Sequence, residues 1–270
     1  MDVSKVLEVN NLIINFGRKK ILSNLSFSVE QGRHIAFIGV GASGKTTLLK
    51  TLAGIYPSND SIIFGYGYLN PKKSLKDLKS IGCVFSDIFE FLFDDVYSEF
   101  VFPLENLNYS KEDIKLTIKE LFEYFNVSYL LDKKTYDLTK EEVAIVQILL
   151  AILHKPVILI MDDPFLMLKK STRNKISSIL LKYCHANNIT IIMSSTNLED
   201  IIFTKETYVL EQGEIVMSGN TLDILKEDVL LKKLGLSLPF MVNLSLMLEF
   251  YEILDDVYLD MEELVNRLWN

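Results

Sequence analysis

The chain has 270 residues, 49% of them hydrophobic, enough for a core in one large or two small domains, which excludes a disulfide-stapled peptide. With 28 Lys and Arg against 36 Asp and Glu the net charge is −8, so no general basic field exists to recruit a nucleic-acid backbone and no nucleic-acid partner is expected. No apolar run approaches the roughly 18 residues that span a bilayer. The start of the chain lacks the basic-then-apolar order of a secretory signal, and Cys83 and Cys184 form neither a metal spacing nor a disulfide framework, which points to a reducing cytosol.

In chain order, β-branched and apolar runs predict strands at Val6–Asn15, Leu25–Val29 and Ile35–Ile38, and a helix follows at Thr46–Ala53. Helices are predicted at Glu112–Phe125, Glu141–Leu153 and Arg173–Ala186, with fully buried strands at Val157–Met161 and Thr190–Ser194. Strands alternating with helices imply a parallel sheet covered on both faces. Thr207–Leu210 and Glu214–Met217 flank Gln212-Gly213 as a hairpin. Thr221–Leu234 and the tail from Leu236 onward read as mostly helical, with a boundary near Gly235 and a break at Leu238-Pro239.

Between the third strand and the first long helix lies Gly39-Val40-Gly41-Ala42-Ser43-Gly44-Lys45-Thr46, which fits a phosphate-binding loop in the right context. Its glycines allow successive backbone N–H groups to face a phosphate at a helix N-terminus, where the dipole also favours anions. Lys45 is expected to reach the β- and γ-phosphates of ATP, and Thr46 to offer its hydroxyl to Mg²⁺; Thr47 completes the ATP-binding set. A Gly-rich turn that happens to hold Lys-Thr is the bland alternative, and the flanking strand and helix speak against it. Asp162, ending the buried run Val157–Met161, is the candidate metal-binding acid, and Asp163 beside it is the candidate to act on an attacking water.

With Asp162-Asp163-Pro164 and the phosphate loop together, the chain resembles the ATP-binding subunits of ABC transporters, and more narrowly the ATPase subunit of energy-coupling factor (ECF) importers. Asn11–Gly17 is similar to that family's opening strand, with Phe16 where an aromatic stacks on adenine; a core Phe is the alternative. Ile81–Phe85 and Glu99–Leu107 resemble the segments bracketing its Q-loop. Leu234–Phe240 and Met261–Trp269 resemble its C-terminal helices. The resemblance implies an α/β P-loop fold: a parallel sheet core with an antiparallel β subdomain and a helical subdomain at about 87–155, together spanning 1–234, and a helical extension at 235–270. It further implies a peripheral position on the cytoplasmic face of the cell membrane. The implied partners are a second ATPase subunit, held partly by the C-terminal helices, a transmembrane coupling subunit and a substrate-binding membrane subunit. The acidic, aromatic stretch Ser86–Phe100 stands where the family forms a groove for arginine-bearing coupling helices; a surface helix with one core face is the alternative.

Departures from the pattern fall on residues that do chemistry. Leu138-Thr139-Lys140-Glu141-Glu142 replaces the Leu-Ser-Gly-Gly-Gln signature that caps the partner's nucleotide, putting side chains where bare backbone must approach closely. Glu141 and Glu142 add negative charge, and Lys140 an ammonium in partial compensation. Ser86 stands at the Q-loop glutamine position, Asp163 in place of a glutamate, Thr196 in place of the switch histidine, and Lys169 where an Asp would end the D-loop. Mg-ATP binding with slow hydrolysis, coupled to uptake of a vitamin or other micronutrient, is therefore the preferred expectation. A catalytically inactive ATP-binding subunit paired with an active paralogue, or a non-transport P-loop ATPase, is the alternative.

Overall fold

A computed structural model describes residues 5–58, 62–64, 81–85 and 87–269. Two sheets organise them. The smaller is antiparallel, with order β2-β1-β4: β1 (Lys5–Phe16) turns at Gly17 into β2 (Lys19–Glu30), and β4 (Ile62–Phe64) pairs along the other edge of β1. The sequence places the second strand only at Leu25–Val29. It begins six residues earlier because Lys19 and Lys20 pair through their backbones with Phe16 and Asn15, a ladder that needs no apolar side chain.

The larger sheet has order β5-β6-β7-β3-β8-β9, built from β3 (His34–Ile38), β5 (Ile81–Phe85), β6 (Ile158–Asp162), β7 (Thr190–Ser195), β8 (Glu206–Glu211) and β9 (Glu214–Asn220). All neighbours are parallel except the β8–β9 hairpin. Because successive side chains alternate faces, Ile35 and Phe37 of β3 point into one core, with Leu48 and Leu49 of α1 (Lys45–Leu52) and the inner face of the small sheet. Ala36 and Ile38 point into the other, shared with the remaining helices. The sheet is thus apolar on both faces, and its C-terminal edge is the place left for polar groups.

That second face is covered by α2 (Val96–Asn106), α3 (Lys111–Tyr124), α4 (Lys140–Ile152) and α5 (Lys170–Ala186). For the stretch 86–100 the surface-helix alternative holds at its end, where α2 starts. Val96, Phe100 and Leu104 recur at four-residue spacing and are fully buried, while the Asp95 carboxylate accepts the Ser98 N–H at 2.9 Å and caps the first turn. The helix expected over Thr221–Leu234 is two, α6 (Thr221–Lys226) and α7 (Asp228–Lys233), because Glu227 leaves the helical region with ψ 56°. Beyond Gly235, α8 (Phe240–Phe250) and α9 (Met261–Trp269) follow, and Leu236 and Val242 bury into the same core as the helices before them.

Candidate functional site

The turn from β3 to α1 is a site because of its backbone. Gly39 and Gly44 take φ 153° and 107°, and a Cβ on Gly39 would sit 2.3 Å from the Leu210 carbonyl oxygen. Gly41, by contrast, needs no such freedom: its φ is not positive and a Cβ there would meet nothing, whereas the non-glycine Ala42 adopts φ 62°. The Lys45 side chain, buried within this loop, donates to the carbonyls of Gly39 (2.6 Å) and Val40 (3.1 Å) and to Ser43 Oγ (3.3 Å). Burial lowers its pKa from the ordinary lysine value, against the raising influence of Asp163 and Asp162. Ala42, Ser43, Gly44, Lys45, Thr46 and Thr47 border a cavity of about 560 Å³, within the range of small-molecule sites. Lys19, Lys20 and Gln212 border it too; sequence motifs do not mark them, because the β1–β2 hairpin brings the lysines in from outside the loop.

Across the sheet edge, the strand order sets β6 beside β7 and β7 beside β3, so Asp162 ends up facing the loop. Thr46 Oγ1 donates to Asp162 Oδ2 at 2.7 Å, joining residues 116 apart in sequence. The other carboxylate oxygen of Asp162 accepts a short hydrogen bond from the Ser194 hydroxyl, and Ser194 also takes the Asp163 N–H at its carbonyl and hydroxyl oxygens, each at 3.2 Å. Ser194 went unmarked as a functional residue in sequence. Its one signal is a hydroxyl directly after the apolar run Ile191-Ile192-Met193. Asp163 sits at φ 45°, a region Asp tolerates better than most residues. Its Oδ1 accepts both the N–H (2.7 Å) and the hydroxyl (3.1 Å) of Thr196.

Phe16, half exposed at the end of β1, meets Tyr56 edge-on with ring centroids 5.3 Å apart. The core-Phe alternative does not hold at this exposure. Ser86 lies outside the described residues.

The degenerate signature is where charge expectations change. Thr139 caps α4, accepting the Glu142 N–H at 3.3 Å, while Glu142 folds back onto the Thr139 N–H (3.0 Å) and hydroxyl (3.1 Å). The Glu142 carboxylate also meets Lys133 Nζ at 2.7 Å. Glu141 accepts the Lys169 N–H at 2.8 Å and faces Lys169 Nζ at 3.3 Å. Both acids are therefore paired within the chain. The charge that they were expected to add near a polyanion is largely offset, and the Thr139 hydroxyl is engaged locally. Lys140 and Leu138 border a second cavity with Asp162 and Asp163.

A phosphate loop at the C-terminal edge of a parallel sheet, an acid from the strand next but one bonded to the loop's threonine, and a small antiparallel sheet alongside define the nucleotide-binding domain of an ABC-type ATPase. Residues 22–166 match the ABC transporter family. An energy-coupling factor transporter ATP-binding protein, EcfA1 of Fusobacterium nucleatum, is 32% identical over 98% of both chains. An EcfA2 protein of the same description from Caldanaerobacter subterraneus is 35% identical over 83% of this chain and 80% of its own. Among solved structures, cbiO1 from Clostridium perfringens, part of the ABC transporter complex cbiONQ, superposes with a TM-score of 0.74 at 24% identity, covering 87% of this chain and 96% of that one. The chain belongs to the ABC transporter family and, within it, to the ATP-binding proteins of energy-coupling factor transporters.

Proposed function

We propose that this chain binds Mg-ATP and hydrolyses it slowly to drive a membrane importer of a vitamin or other micronutrient, from the cytoplasmic face of the cell membrane. The observation that carries the reading is the 2.7 Å bond from Thr46 to Asp162 beside the buried Lys45 ammonium. Mg²⁺ takes few protein ligands and completes its octahedron with phosphates and water, so one hydroxyl and one carboxylate fit it. Bound there, Mg²⁺ would neutralise charge on the phosphates. Lys45, held by carbonyl oxygens alone apart from one hydroxyl, exchanges those neutral acceptors for anionic ones when a triphosphate enters, a stronger set of bonds. Phe16 offers its exposed face to adenine. Asp163 takes the proton of the attacking water, one carboxylate oxygen held by Thr196.

No helix among the described residues is long and apolar enough to cross a membrane. Attachment through a transmembrane coupling subunit, joined in turn to a substrate-binding membrane subunit, is supported by the exposed Ile88, Glu90, Leu92 and Asp94 ahead of α2. Pairing with a second ATPase subunit is supported by α8 and α9, where Phe250 and Trp269 are about four-fifths exposed. Calorimetric titration of Mg-ATP into the chain and its Lys45→Ala variant tests the nucleotide reading: strong loss of affinity in the variant is expected, and equal binding overturns it.

A further inference from the structure

Helix α4 carries one amide into an apolar interior. Between Val146 and Ile148, both fully buried, stands Gln147, only 7% exposed. Its amide is not among the fully buried side-chain groups of the described residues that lack a partner. An amide that meets only carbon is a net cost that an apolar side chain of similar size avoids. Gln147 does not, however, face packed carbon alone. Together with Lys140, Asp162 and Asp163 it lines a cavity of about 210 Å³ between α4 and the C-terminal end of β6. A water occupies about 30 Å³ and needs two to four polar partners. The cavity therefore has room for water, and the polar side chains that line it are those four.

The position matters because of what β5 places next to it. Phe85 of β5 pairs with Asp162, and Val84 lines the same cavity. Gln147 thus shares a cavity with Val84 of β5, the strand that precedes in sequence the position where the family resemblance leads one to expect a glutamine and the chain has serine. Oδ1 of Asp163 is held by Thr196, which leaves its second oxygen for contacts elsewhere.

We propose that Gln147 is a positioning residue for hydrolysis, its amide ordering water in this cavity that hydrogen-bonds the carboxylate of Asp163 and fixes its orientation. In the step it serves, an O–H bond of the attacking water breaks, the proton goes to Asp163, the water oxygen bonds to the γ-phosphorus, and ADP leaves with the bond electrons. The inference rests on the ATPase reading above.

The test uses the complex recovered from membranes with wild-type, Gln147→Leu, Gln147→Asn and Lys45→Ala chains, measuring kcat and KM for ATP, Mg-ATP affinity and Tm. Gln147→Leu should keep or raise Tm, hold affinity within about twofold, and lower kcat about tenfold or more, the scale on which small misplacements act; Gln147→Asn, which retains an amide, should recover part of it. Gln147→Met serves the same purpose if the leucine variant does not fold. An unchanged kcat in the apolar variant overturns the proposal. So does a kcat loss matched by equal losses in affinity or Tm, since Gln147 is then a packing residue. A wild-type complex no faster than Lys45→Ala removes the ATPase reading itself, and the inference with it.

Discussion

Thr196 donates twice to a single oxygen of Asp163, through its N–H at 2.7 Å and its hydroxyl at 3.1 Å. The two residues that depart from the family's base and switch positions are therefore one unit: a short carboxylate, and the threonine that grips it. Asp163→Asn should lower phosphate release by about 100-fold or more, the usual contribution of a general base. Asp163→Glu alone should not raise the rate, because Glu tolerates φ 45° less well than Asp and the Thr196 grip remains. Asp163→Glu with Thr196→His, assembled with a second ATPase subunit whose signature is intact, should raise phosphate release about tenfold or more. The rate at saturating ATP checks all three.

Lys45 gives a prediction with a pH dependence. Burial lowers its pKa in the folded chain. A lysine whose folded pKa lies below its unfolded value costs stability at pH values beneath both, and that cost fades as pH rises through the folded value. Lys45→Met removes the charge, so the variant should be more stable than wild type at pH 7 and lose that advantage in alkaline buffer, while Mg-ATP no longer protects it. Thermal melts from pH 7 to pH 11, with and without Mg-ATP, measure both effects. A variant that gains as much Tm from Mg-ATP as wild type does contradicts the role given to Lys45.

The alternation of strands and helices and the phosphate loop were legible because each is a local pattern: Ile35–Ile38, Gly39–Thr46 and Val157–Asp162 announce themselves by period and glycine spacing. What stayed hidden is carried by tertiary pairing. Helix α2 was obscured because Phe89, Phe91 and Phe93 precede it and blur its four-residue period until Asp95 supplies the cap. Ser194 acquires a role only once β7 lies between β6 and β3. Glu141 and Glu142 read as added negative charge because Lys133 and Lys169, nine and 28 residues away, become their partners only on folding.

Those pairings predict that restoring the signature carries a stability penalty. Thr139→Ala removes the cap of α4 and should cost about 0.5–2 kcal/mol, at roughly 2–4 °C in Tm per kcal/mol for a chain of this size. Glu142→Gln should destabilise as well. Burial pushes the Glu142 pKa up, but Lys133 and the Thr139 N–H and hydroxyl outweigh it and hold the group below the ordinary glutamate value. Its ionic contribution is thus complete above the unfolded value, about 4.3, and disappears as pH falls through the folded one. The Tm gap between wild type and Glu142→Gln should therefore be widest near neutrality and close on acidification towards pH 3. A gap that stays constant in melts across that range rules out the ionic part.

The last prediction concerns the membrane partner, and the structure decides which acids can test it. Asp95 is unsuitable: its carboxylate accepts the Ser98 N–H and caps α2, so a lysine there would disturb the helix itself. Glu99 is equally unsuitable, being buried with its carboxylate on the Phe93 N–H at 2.6 Å. Asp87 already pairs with Lys50. Glu90 and Asp94 remain, both exposed beside the exposed Leu92, an arrangement suited to an arginine flanked by apolar contacts. Glu90→Lys with Asp94→Lys should leave Tm and Mg-ATP affinity unchanged. It should also abolish recovery of the transmembrane subunit when the tagged chain is purified from detergent-solubilised membranes. If the doubly substituted chain brings down that subunit as well as wild type does, the segment ahead of α2 is not the contact.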